Sequence, residues 1–467
     1  MASSEFKLQP ARELANVYRT LQPTPLTTIE ELEAFYVSDI NAVRGGDKVK
    51  RLQLRLQRAY NDRIPFKACV MGHRGVGKST EISRLLARIS SQFEAIRFSA
   101  TQVLDPGSFR PLDVLLVMMI ELAEATAKPV QKGGADYRPS KARLQEIWDW
   151  FSTEKETRQL AEEAALTVEA GAGVEDDSLW NKVLGLFATL KGEIKFASAR
   201  AKEVVTYRLT RLDLLIEVTN RLLDECNDAM RRATGKQWLF VGEDFDKAGI
   251  PSTQIEDLFI NYANIFQGLR TSLIFTLPIG LYYSAKATRL PFEGFVIPDT
   301  PMFDISHAPN QTGQAAVEKV LTARMNPALF EPDELSRLIV ASGGNLRDLF
   351  SLINEAADGA FLREALKIAR EDTNAAIVKL RSDYERRLGQ SPYDPETISY
   401  QDKAELLVRI YNGEKVAQIT SPALYSLLNS RAVQEFNGQR WFGLHPLVVD
   451  ILIAQNYLQT GAAGGTS

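Results

Sequence analysis

Residues 66–80 read FKACVMGHRGVGKST. The first six residues form an apolar run that predicts a strand, and the residues after Lys78 place apolar side chains at helical spacing. Between them, residues 72–79 match the pattern GxxxxGK(S/T), whose glycines let backbone N–H groups turn towards phosphate oxygens. The pattern predicts a phosphate-binding loop made of Gly72, His73, Arg74, Gly75, Val76, Gly77, Lys78, Ser79 and Thr80.

Lys78 and Ser79 are the residues that carry the chemistry of this loop. A lysine ammonium neutralises the β and γ oxygens of a triphosphate, and a serine hydroxyl can ligate Mg²⁺ at the positive end of the following helix. A chance glycine-rich turn is the alternative, but the loop lies between a predicted strand and a predicted helix, as the motif requires. The sequence therefore predicts a nucleoside triphosphate site, with ATP and Mg²⁺ as the expected ligands.

The composition is that of a globular protein with several domains. The chain has 467 residues, of which 45% are hydrophobic and 24% charged, and its formal net charge is −4. This balance gives no general attraction to nucleic acid or to acidic membranes. The 2 cysteines and 3 scattered histidines argue against a disulfide framework, a zinc site and a Ser-His hydrolytic site. Without a signal peptide or a run of about 18 apolar residues, we expect a cytoplasmic protein without a membrane span.

Apolar runs that follow the loop predict the rest of a parallel sheet. They lie at 96–100, 238–242, 272–277 and 295–297 and alternate with helical patterns. Five strands interleaved with helices predict a three-layer α/β fold, with a mainly parallel sheet covered on both faces. The second and third runs are too far apart for one crossover helix, so we expect a helical insertion at about 128–235. In it, 139–165 and 198–233 predict helices, and 165–178 predicts a loop or short hairpin.

The same patterns predict the domain organisation. We expect a helical lead-in at 1–40, a nucleotide-binding core at 41–306, a helical lid at 307–389, a winged-helix-like domain at 390–460 and a flexible tail at 461–467. The stretch GQSPYDPET, which begins at Gly389, is the predicted linker before the last domain. The basic residues of 198–211 are interpreted as a solvated helix face, because Glu203 interrupts them.

The C-terminal stretch predicts two helices, a hairpin and a third helix. Serine followed by proline at 421 and 422 favours a helix start, and Asn437-Gly438 is a strong hairpin turn. A winged helix of this kind could place its second helix in the major groove of DNA. That helix, 421–430, carries no basic residue, and acidic residues outnumber basic ones after residue 391. We therefore favour a protein contact over DNA for this domain.

A cluster of carboxylates follows the apolar run that ends at Gly242. Residues 239–246 read LFVGEDFD, so the acidic groups come at the end of a predicted strand of the same sheet. A phosphate-binding loop of this kind works with a carboxylate on a neighbouring strand that holds the metal. We assign Glu243 to Mg²⁺, and Asp244 to orienting and deprotonating the attacking water. A solvated acidic turn after a buried strand is the alternative.

The sequence resembles the AAA+ ATPases, in particular their origin-recognition-like and STAND-type relatives. The resemblance rests on GHRGVGKS, LFVGEDFD, the strand that ends at Thr276 and SGGNLRDL at 342–349. The resemblance spans 35–370. It implies ATP hydrolysis with Mg²⁺ and assembly into a homo-oligomer. The family's acidic pair is usually Asp-Glu, whereas here it is Glu243-Asp244, which implies slow hydrolysis.

The resemblance also implies roles for two polar residues near the γ-phosphate. Arg347 corresponds to the lid arginine that senses nucleotide state, because a planar guanidinium can hold phosphate in one lid position and release it in another. Thr276 corresponds to the strand-end residue that helps hold the attacking water. The alternative for Arg347 is a solvated side chain at a helix start that is capped by Asn345. The alternative for Thr276 is an ordinary threonine in a strand.

Two further arginines are placed by the resemblance alone. Arg289 lies roughly where the family has an arginine that completes a neighbour's site, and Arg270 is the competing choice. Arg44, in the turn VRGGD, is similar to the box that precedes the family's core near the adenine. The alternative for Arg289 is an ordinary surface arginine. The alternative for the turn at Arg44 is a charged turn before a helix that Asp47 stabilises in its first turn.

Three functions remain open at this stage. The first is a nucleotide-driven switch that controls oligomerisation or contact with a protein partner, through the inserted helices or the C-terminal domain. By resemblance, bacterial signalling or phage defence would suit it. The second is a DNA-binding ATPase of the replication-loader or transposition-regulator type, motivated by the basic stretch 48–58. The third is a module that binds ATP and scarcely hydrolyses it.

Overall fold

The computed structural model describes residues 8–131, 137–153, 178–196, 212–247, 249–389, 398–437 and 441–459. Several predicted features lie outside these ranges. They are the loop at 165–178 except for its last residue, the basic face at 198–211, the linker after Gly389 and the tail at 461–467.

A five-stranded parallel sheet forms the centre of the molecule. Its strands are β1 (Lys67–Met71), β2 (Phe93–Ser99), β3 (Gln237–Glu243), β4 (Ser272–Leu277) and β5 (Glu293–Val296). They lie in the order β2-β3-β4-β1-β5, and each neighbouring pair is parallel. The predicted α/β fold with a parallel sheet is confirmed, although β2 begins three residues before the predicted run. Because the strands are parallel, the chain leaves β1, β3 and β4 at one edge of the sheet.

The sheet is buried on both faces, as expected for a parallel sheet covered by helices. All six residues of β4 are buried. Phe245, Phe259, Phe275 and Phe292 pack edge to face, and Phe266 stacks on Phe259. Gly242 on β3 is required by this packing, because a Cβ there would lie 2.6 Å from Cδ1 of Phe275. The glycine in the predicted strand WLFVG therefore makes room for a ring.

The helices before β3 share the core of the sheet. The described helices of this region are Ala100–Val103, Pro111–Gln131, Lys141–Thr153, Ser178–Lys195 and Leu212–Thr234. Their buried apolar side chains belong to the same cluster as Phe98 of β2 and Phe240 of β3. The described helices of the predicted insertion are thus packed onto the central sheet.

A second core joins the N-terminal residues, the lid and the C-terminal elements. The lid helices are Gln311–Thr322, Glu334–Ala341, Leu346–Leu362 and Arg370–Leu388. The C-terminal helices are Tyr400–Tyr411, Pro422–Ser430 and Pro446–Ala454, with the antiparallel strands β6 (Val433–Phe436) and β7 (Trp441–Leu444). Leu14, Val17, Ile353 and Leu427 lie in one apolar cluster. The predicted order of helix, helix, hairpin and helix is present, and the winged-helix identity stays a prediction.

The remaining helices lie before β1 and between β3 and β5. Those before β1 are Val17–Thr20, Ile29–Phe35, Asp39–Val43 and Lys48–Asp62, and the helix Lys78–Ile89 follows the phosphate-binding loop. Between β3 and β5 lie the short segments Ser252–Glu256, Asn264–Gln267 and Ile279–Tyr282. Within the described ranges, no helix combines the length and the hydropathy that a membrane crossing requires.

Candidate functional site: a nucleotide cavity at the phosphate-binding loop

The predicted loop connects β1 to the helix Lys78–Ile89, as the motif requires. Gly75 has φ of 93°, and a Cβ there would lie 2.3 Å from Oδ1 of Asn345. A Cβ at Gly72 would lie 2.4 Å from the carbonyl oxygen of Ile297. A side chain at either position would push the loop off the lid or off the strand beside it, so both glycines are needed for this packing.

Lys78 is held at the mouth of the loop by oxygen atoms. Its Nζ donates to the carbonyl oxygens of Gly72 at 2.8 Å and His73 at 3.0 Å, and lies 2.7 Å from Oδ2 of Asp246. The side chain is 7% exposed, so the ammonium depends on these oxygens for its solvation. A triphosphate would offer stronger acceptors in the same place, which fits the predicted role of Lys78.

The loop residues line a cavity that we call the nucleotide cavity. It is bounded on one side by the loop residues 74–80 and on the other by Asp244, Asp246, Lys247, Thr276, Leu346 and Arg347. Ser79 and Thr80 are both half-buried in its wall. Thr80 also accepts a hydrogen bond from the backbone N–H of Leu26 at 3.1 Å, which ties the N-terminal segment to the loop.

Asp244 and Thr276 meet at the end of adjacent strands. The backbone N–H of Asp244 donates to Oγ1 of Thr276 at 2.9 Å, and Asp244 has φ of 69°, an uncommon value for a non-glycine residue. Oδ2 of Asp244 accepts from Ser99 Oγ and lies 2.8 Å from Nζ of Lys247. The structure thus brings Asp244 and Thr276 together beside the loop, where Thr276 holds the backbone of Asp244, and the roles of both residues stay predictions.

Glu243 is oriented differently from its two acidic neighbours. Its Oε2 is 2.6 Å from Nη2 of Arg97, and Oε1 is buried without a hydrogen-bond partner. Glu243 does not line the nucleotide cavity, whereas Asp244 and Asp246 do. Its assignment to Mg²⁺ stays a prediction, and Arg97 competes for the same carboxylate. Neither Arg97 nor the pairing of Asp246 with Lys78 was predicted, since no motif marks these two contacts.

The far end of the nucleotide cavity is apolar and was missed by sequence reasoning. Its wall is formed by Pro23, Pro25, Leu26, Phe35, Val37, Ile40, Val320 and Phe350. Tyr36 also lines it, and its hydroxyl donates to Oε1 of Glu81 at 2.9 Å. These residues come from the N-terminal segment and from two lid helices, far apart in the sequence. A surface of this kind suits a flat nucleobase.

Arg44 supports the loop from behind. It is 3% exposed, and it donates through Nε to Oγ1 of Thr300 at 2.9 Å and through Nη1 to the carbonyl oxygen of Val76 at 3.0 Å. Arg44 also lines the nucleotide cavity. Its contacts show a brace for the loop, and the proximity to adenine stays a prediction. The helix after it is capped by Asp47, which accepts from the N–H of Lys50.

The lid touches the loop through Asn345 and Arg347. Nδ2 of Asn345 donates to the carbonyl oxygen of Arg74 at 2.8 Å, and its Oδ1 caps the helix Leu346–Leu362. The capping alternative is therefore correct for Asn345. It does not exclude the role predicted for Arg347, which lines the nucleotide cavity and has a buried Nε without a hydrogen-bond partner.

The C-terminal elements also contact the loop directly. Nη1 of Arg431 donates to the carbonyl oxygen of Arg74 at 3.2 Å, and it lies 3.0 Å from Oδ1 of Asp348. The backbone N–H of Glu435 donates to Nε2 of His73 at 3.2 Å. Burial, and then the nearby Lys78, lower the pKa of His73 to about 3, so the ring is a neutral acceptor at neutral pH. Two residues of the predicted loop are thus bound to the C-terminal unit.

Arg289 and Arg270 lie away from the nucleotide cavity of their own chain. Arg289 is exposed at the end of the single turn Ala285–Arg289, and Arg270 pairs with Asp224 at 2.6 Å. Neither arginine lines the cavity. Their predicted role requires a neighbouring chain, so it stays a prediction for both residues.

The described residues fit ATP with Mg²⁺ better than a metal site built from protein alone. Within them, no group of three or more His, Cys, Asp or Glu could hold a metal ion. Mg²⁺ in sites of this kind takes only one or two protein ligands and otherwise binds substrate phosphates and water. The hydroxyl of Ser79 and a carboxylate after β3 are sufficient for that.

Comparisons with known proteins give distant structural neighbours. No protein-family profile matches the chain, and no curated protein matches it at a significant level. Among solved structures, Cdc6p from Pyrobaculum aerophilum is 10% identical, with a TM-score of 0.39 over 95% of this chain and 92% of that chain. A Walker-type ATPase of Pyrococcus abyssi is 13% identical, with a TM-score of 0.38 over 93% and 99%. The Aeropyrum pernix ORC1 protein in complex with DNA is 14% identical, with a TM-score of 0.35 over 88% and 92%.

The chain has the three-layer α/β fold of a P-loop NTPase with a helical lid. The TM-scores are all below 0.5, so the predicted resemblance, in both its origin-recognition-like and its STAND-type part, stays a prediction. Similarity at this level concerns the fold, and neither ligand nor partner follows from it. Nothing in the comparisons supports the preference against DNA that was based on the uncharged helix 421–430.

Proposed function

We propose that the protein is an ATP-binding and ATP-hydrolysing switch in which the phosphate-binding loop controls the position of the lid and the C-terminal unit. The observation that carries the proposal is the carbonyl oxygen of Arg74. It accepts hydrogen bonds from Asn345 of the lid and Arg431 of the C-terminal unit. One peptide group of the loop is therefore held by both elements at once.

ATP binding would use the residues that line the nucleotide cavity. The loop amides and Lys78 would hold the phosphates, and the apolar wall at the far end would hold the base. Arg347 has no ion pair among the described residues and lies on the lid, so a γ-phosphate is its natural partner. ATP is the simplest expectation for the nucleotide.

Hydrolysis would depend on the acidic residues after β3. Mg²⁺, when bound, would neutralise phosphate charge, with Ser79 and Glu243 as the proposed ligands. Asp244 would hold and deprotonate the attacking water, since its backbone is fixed by Thr276 and its side chain lines the cavity. The pairing of Glu243 with Arg97 and the short carboxylate at Asp244 both favour slow turnover.

The switch would operate through hydrogen bonds that the loop shares with its neighbours. A nucleotide that draws Lys78 away from the carbonyl oxygens of Gly72 and His73 changes the loop at the residues that Asn345, Arg431 and Glu435 contact. The ligand shifts the equilibrium only through such differential contacts. An oligomer completed by Arg289 of a neighbouring chain is a further part of this proposal.

Hydrogen exchange with and without a non-hydrolysable ATP analogue tests the proposal. In the parent protein, we expect the analogue to change exchange in β6 and in the first turn of the helix Leu346–Leu362. In Lys78→Ala, we expect weak binding and no change. Lys367→Ala, an exposed lysine of the lid, is the matched control and should behave as the parent. If Lys78→Ala binds the analogue as tightly as the parent does, the proposed ATP site is wrong. If the parent binds the analogue tightly without a change in hydrogen exchange, the proposed switch is wrong.

DNA binding is a second candidate, favoured by the surface of the helix Lys48–Asp62. Lys50, Arg51 and Arg58 are exposed on it. Arg51 and Arg55 lie 3.6 Å and 3.4 Å from carboxylate oxygens of Glu293, so part of this charge is compensated within the chain. Exposed lysines and arginines bind phosphate backbones with a strong dependence on salt.

The DNA candidate is tested with a duplex of about 30 base pairs, at about 50 mM and about 200 mM salt. We expect the triple change of Lys50, Arg51 and Arg58 to Gln to weaken binding and to reduce the salt dependence. An equal change of charge at Lys319, Lys367 and Lys379, all exposed on the lid, is the control. No binding at the lower salt concentration would remove this candidate.

A further inference from the structure

A second cavity lies on the opposite side of the phosphate-binding loop, and we call it the basic cavity. It is enclosed by the loop at residues 72–74, the segment after β3, the end of the helix Arg370–Leu388 and the helix Pro422–Ser430. Its volume is about 480 Å³. This lies within the range of about 300–1,000 Å³ that is usual for small-molecule sites.

Positive charge dominates the lining of the basic cavity. Its cationic residues are Arg74, Lys247, Arg347, Arg386, Arg387 and Arg431, and Asp246 is the one carboxylate among the described lining residues. Asp246 is already paired with Lys78 at 2.7 Å. Cations therefore outnumber carboxylates in the described lining of the basic cavity.

Half of these cations are neutralised by residues outside the cavity. Lys247 pairs with Asp244 at 2.8 Å and Arg431 with Asp348 at 3.0 Å, and Arg386 pairs with Asp383. Arg74, Arg347 and Arg387 have no carboxylate partner within the described part of the chain. All three are half-buried, and a nitrogen of Arg347 and one of Arg387 are buried without a hydrogen-bond partner.

Arg74 lies close enough to Arg347 and Arg387 to be repelled by both guanidinium groups. Burial, and then Arg347, lower the pKa of Arg74, while burial, and then Arg431, lower the pKa of Arg347. Both shifts mean that the charged form is disfavoured where it lies. Arg387 is fixed over the ring of Tyr384 at 4.7 Å, so its position does not depend on a carboxylate. A bound anion would relieve the repulsion at all three.

The chemistry of such an anion can be read from the rest of the lining. Guanidinium groups bind phosphate through two parallel hydrogen bonds, and three converging arginines suit several phosphates better than one carboxylate. The lining of the basic cavity also contains the apolar residues Ile250, Ile255, Ile279 and Leu428, together with Asn429. An apolar wall with an amide suits a nucleobase.

We propose that the basic cavity is a second ligand site, which binds a phosphorylated nucleotide with its phosphates at Arg74, Arg347 and Arg387. The two cavities share Arg74, Asp246, Lys247 and Arg347, so Arg347 would contact phosphates on both sides. They differ in that Arg386, Arg387 and Arg431 line only the basic cavity and Lys78 and Ser79 line only the other. The ligand would lie against the P-loop and the C-terminal unit together, and so would favour the arrangement in which they are in contact.

Calorimetric titration of the full chain tests the proposal, with the nucleotide cavity first saturated by a non-hydrolysable ATP analogue and Mg²⁺. The probes are inorganic tripolyphosphate and the 5′-phosphorylated dinucleotide pApA. We expect both to bind, and pApA to bind more tightly because its bases contact the apolar wall. The change Arg387→Gln should weaken binding by about tenfold, since it removes a charged donor. Arg370→Gln, at the exposed start of the same helix, should leave binding unchanged.

Several outcomes would overturn the proposal. Absence of saturable binding of either probe to the parent would remove the site, and so would equal binding by Arg387→Gln and Arg370→Gln. Tighter binding of tripolyphosphate than of pApA would refute the nucleotide class. If Arg387→Gln is unstable, Arg387→Lys keeps the charge without the fork and should show an intermediate loss. Lys78→Ala should retain probe binding, so a failure of the proposed ATP site is distinguished from a failure of this one.

Discussion

The two cavities lie on either side of one loop, yet their charges are arranged differently. In the nucleotide cavity, Lys78 is paired with Asp246 and Asp244 with Lys247. Arg74 and Arg347 line both cavities and have no carboxylate partner in the described residues, whereas Asp244 and Glu81 line only the nucleotide cavity. The basic cavity therefore has fewer carboxylates in its described wall, and an anion from outside would stabilise it.

The largest expected effect concerns Asp244, which lines only the nucleotide cavity. We expect Asp244→Asn to reduce single-turnover ATP hydrolysis on the order of 1,000-fold, because it removes the proposed general base. ATP binding and probe binding to the basic cavity should both persist. Asp257→Asn, an exposed residue of the same connection, is the control. Unchanged turnover in Asp244→Asn would show that another group activates the water.

The next effect concerns Arg347, which lines both cavities. We expect Arg347→Ala to weaken ATP and tripolyphosphate by about tenfold each, since one charged donor is lost to both ligands. Titration of each ligand with the other site saturated measures this. Arg387→Gln should affect tripolyphosphate alone. If Arg347→Ala weakened only one of the two ligands, Arg347 would contact that ligand alone and would not serve both cavities.

A smaller effect is expected at Asn345, which joins the lid to the loop. The change Asn345→Ala removes the helix cap and the hydrogen bond to Arg74, and we expect a loss of about 1 kcal/mol in the free energy of unfolding. Nucleotide-dependent exchange in the first turn of the helix Leu346–Leu362 should disappear. Asn374→Ala, on the surface of the lid, serves as the control. If the nucleotide still changes hydrogen exchange in Asn345→Ala, then Arg431 and not Asn345 couples the loop to the lid.

The smallest effect concerns Asp299, buried behind the loop near His73. Burial raises its pKa from 3.8 to about 6, so the folded chain keeps a proton that the unfolded chain has released. This group therefore lowers the free energy of unfolding as the pH rises from about 4 to about 6. We expect the urea midpoint of Asp299→Asn to fall less over this interval than that of the parent. Asp358→Asn, an exposed residue, should show the parent's slope.

Local patterns predicted the parts of the site that depend on neighbouring residues in the sequence. The loop motif at residues 72–80 and the strands before it and after it were read from the sequence. These features are set by backbone conformation and by the alternation of strands and helices, which are short-range or topological properties. Arg347, which the resemblance assigned to the lid, lines the nucleotide cavity, and its sensing role stays a prediction.

Contacts between distant segments could not be predicted in the same way. Three features join residues that share no sequence pattern. They are the pairing of Glu243 with Arg97, the apolar wall at residues 23–26 and the contact of Arg431 with the loop. Arg431 in particular belongs to a domain that the sequence left as a possible reader of DNA or protein. The structure adds that this domain touches the nucleotide-binding loop of its own chain.

By itself, the sequence determined that a phosphate-binding loop follows a buried strand, because glycine spacing, a lysine and a serine are sufficient to specify that backbone and its chemistry. Only the tertiary structure decided which charges around the loop are balanced and which are not. Charge balance depends on distances of a few ångströms between side chains, and some of these, such as Lys78 and Asp246, are far apart in the sequence, so no local pattern encodes them. The basic cavity, whose arginines lie close together only in the folded chain, could therefore not be predicted from the sequence.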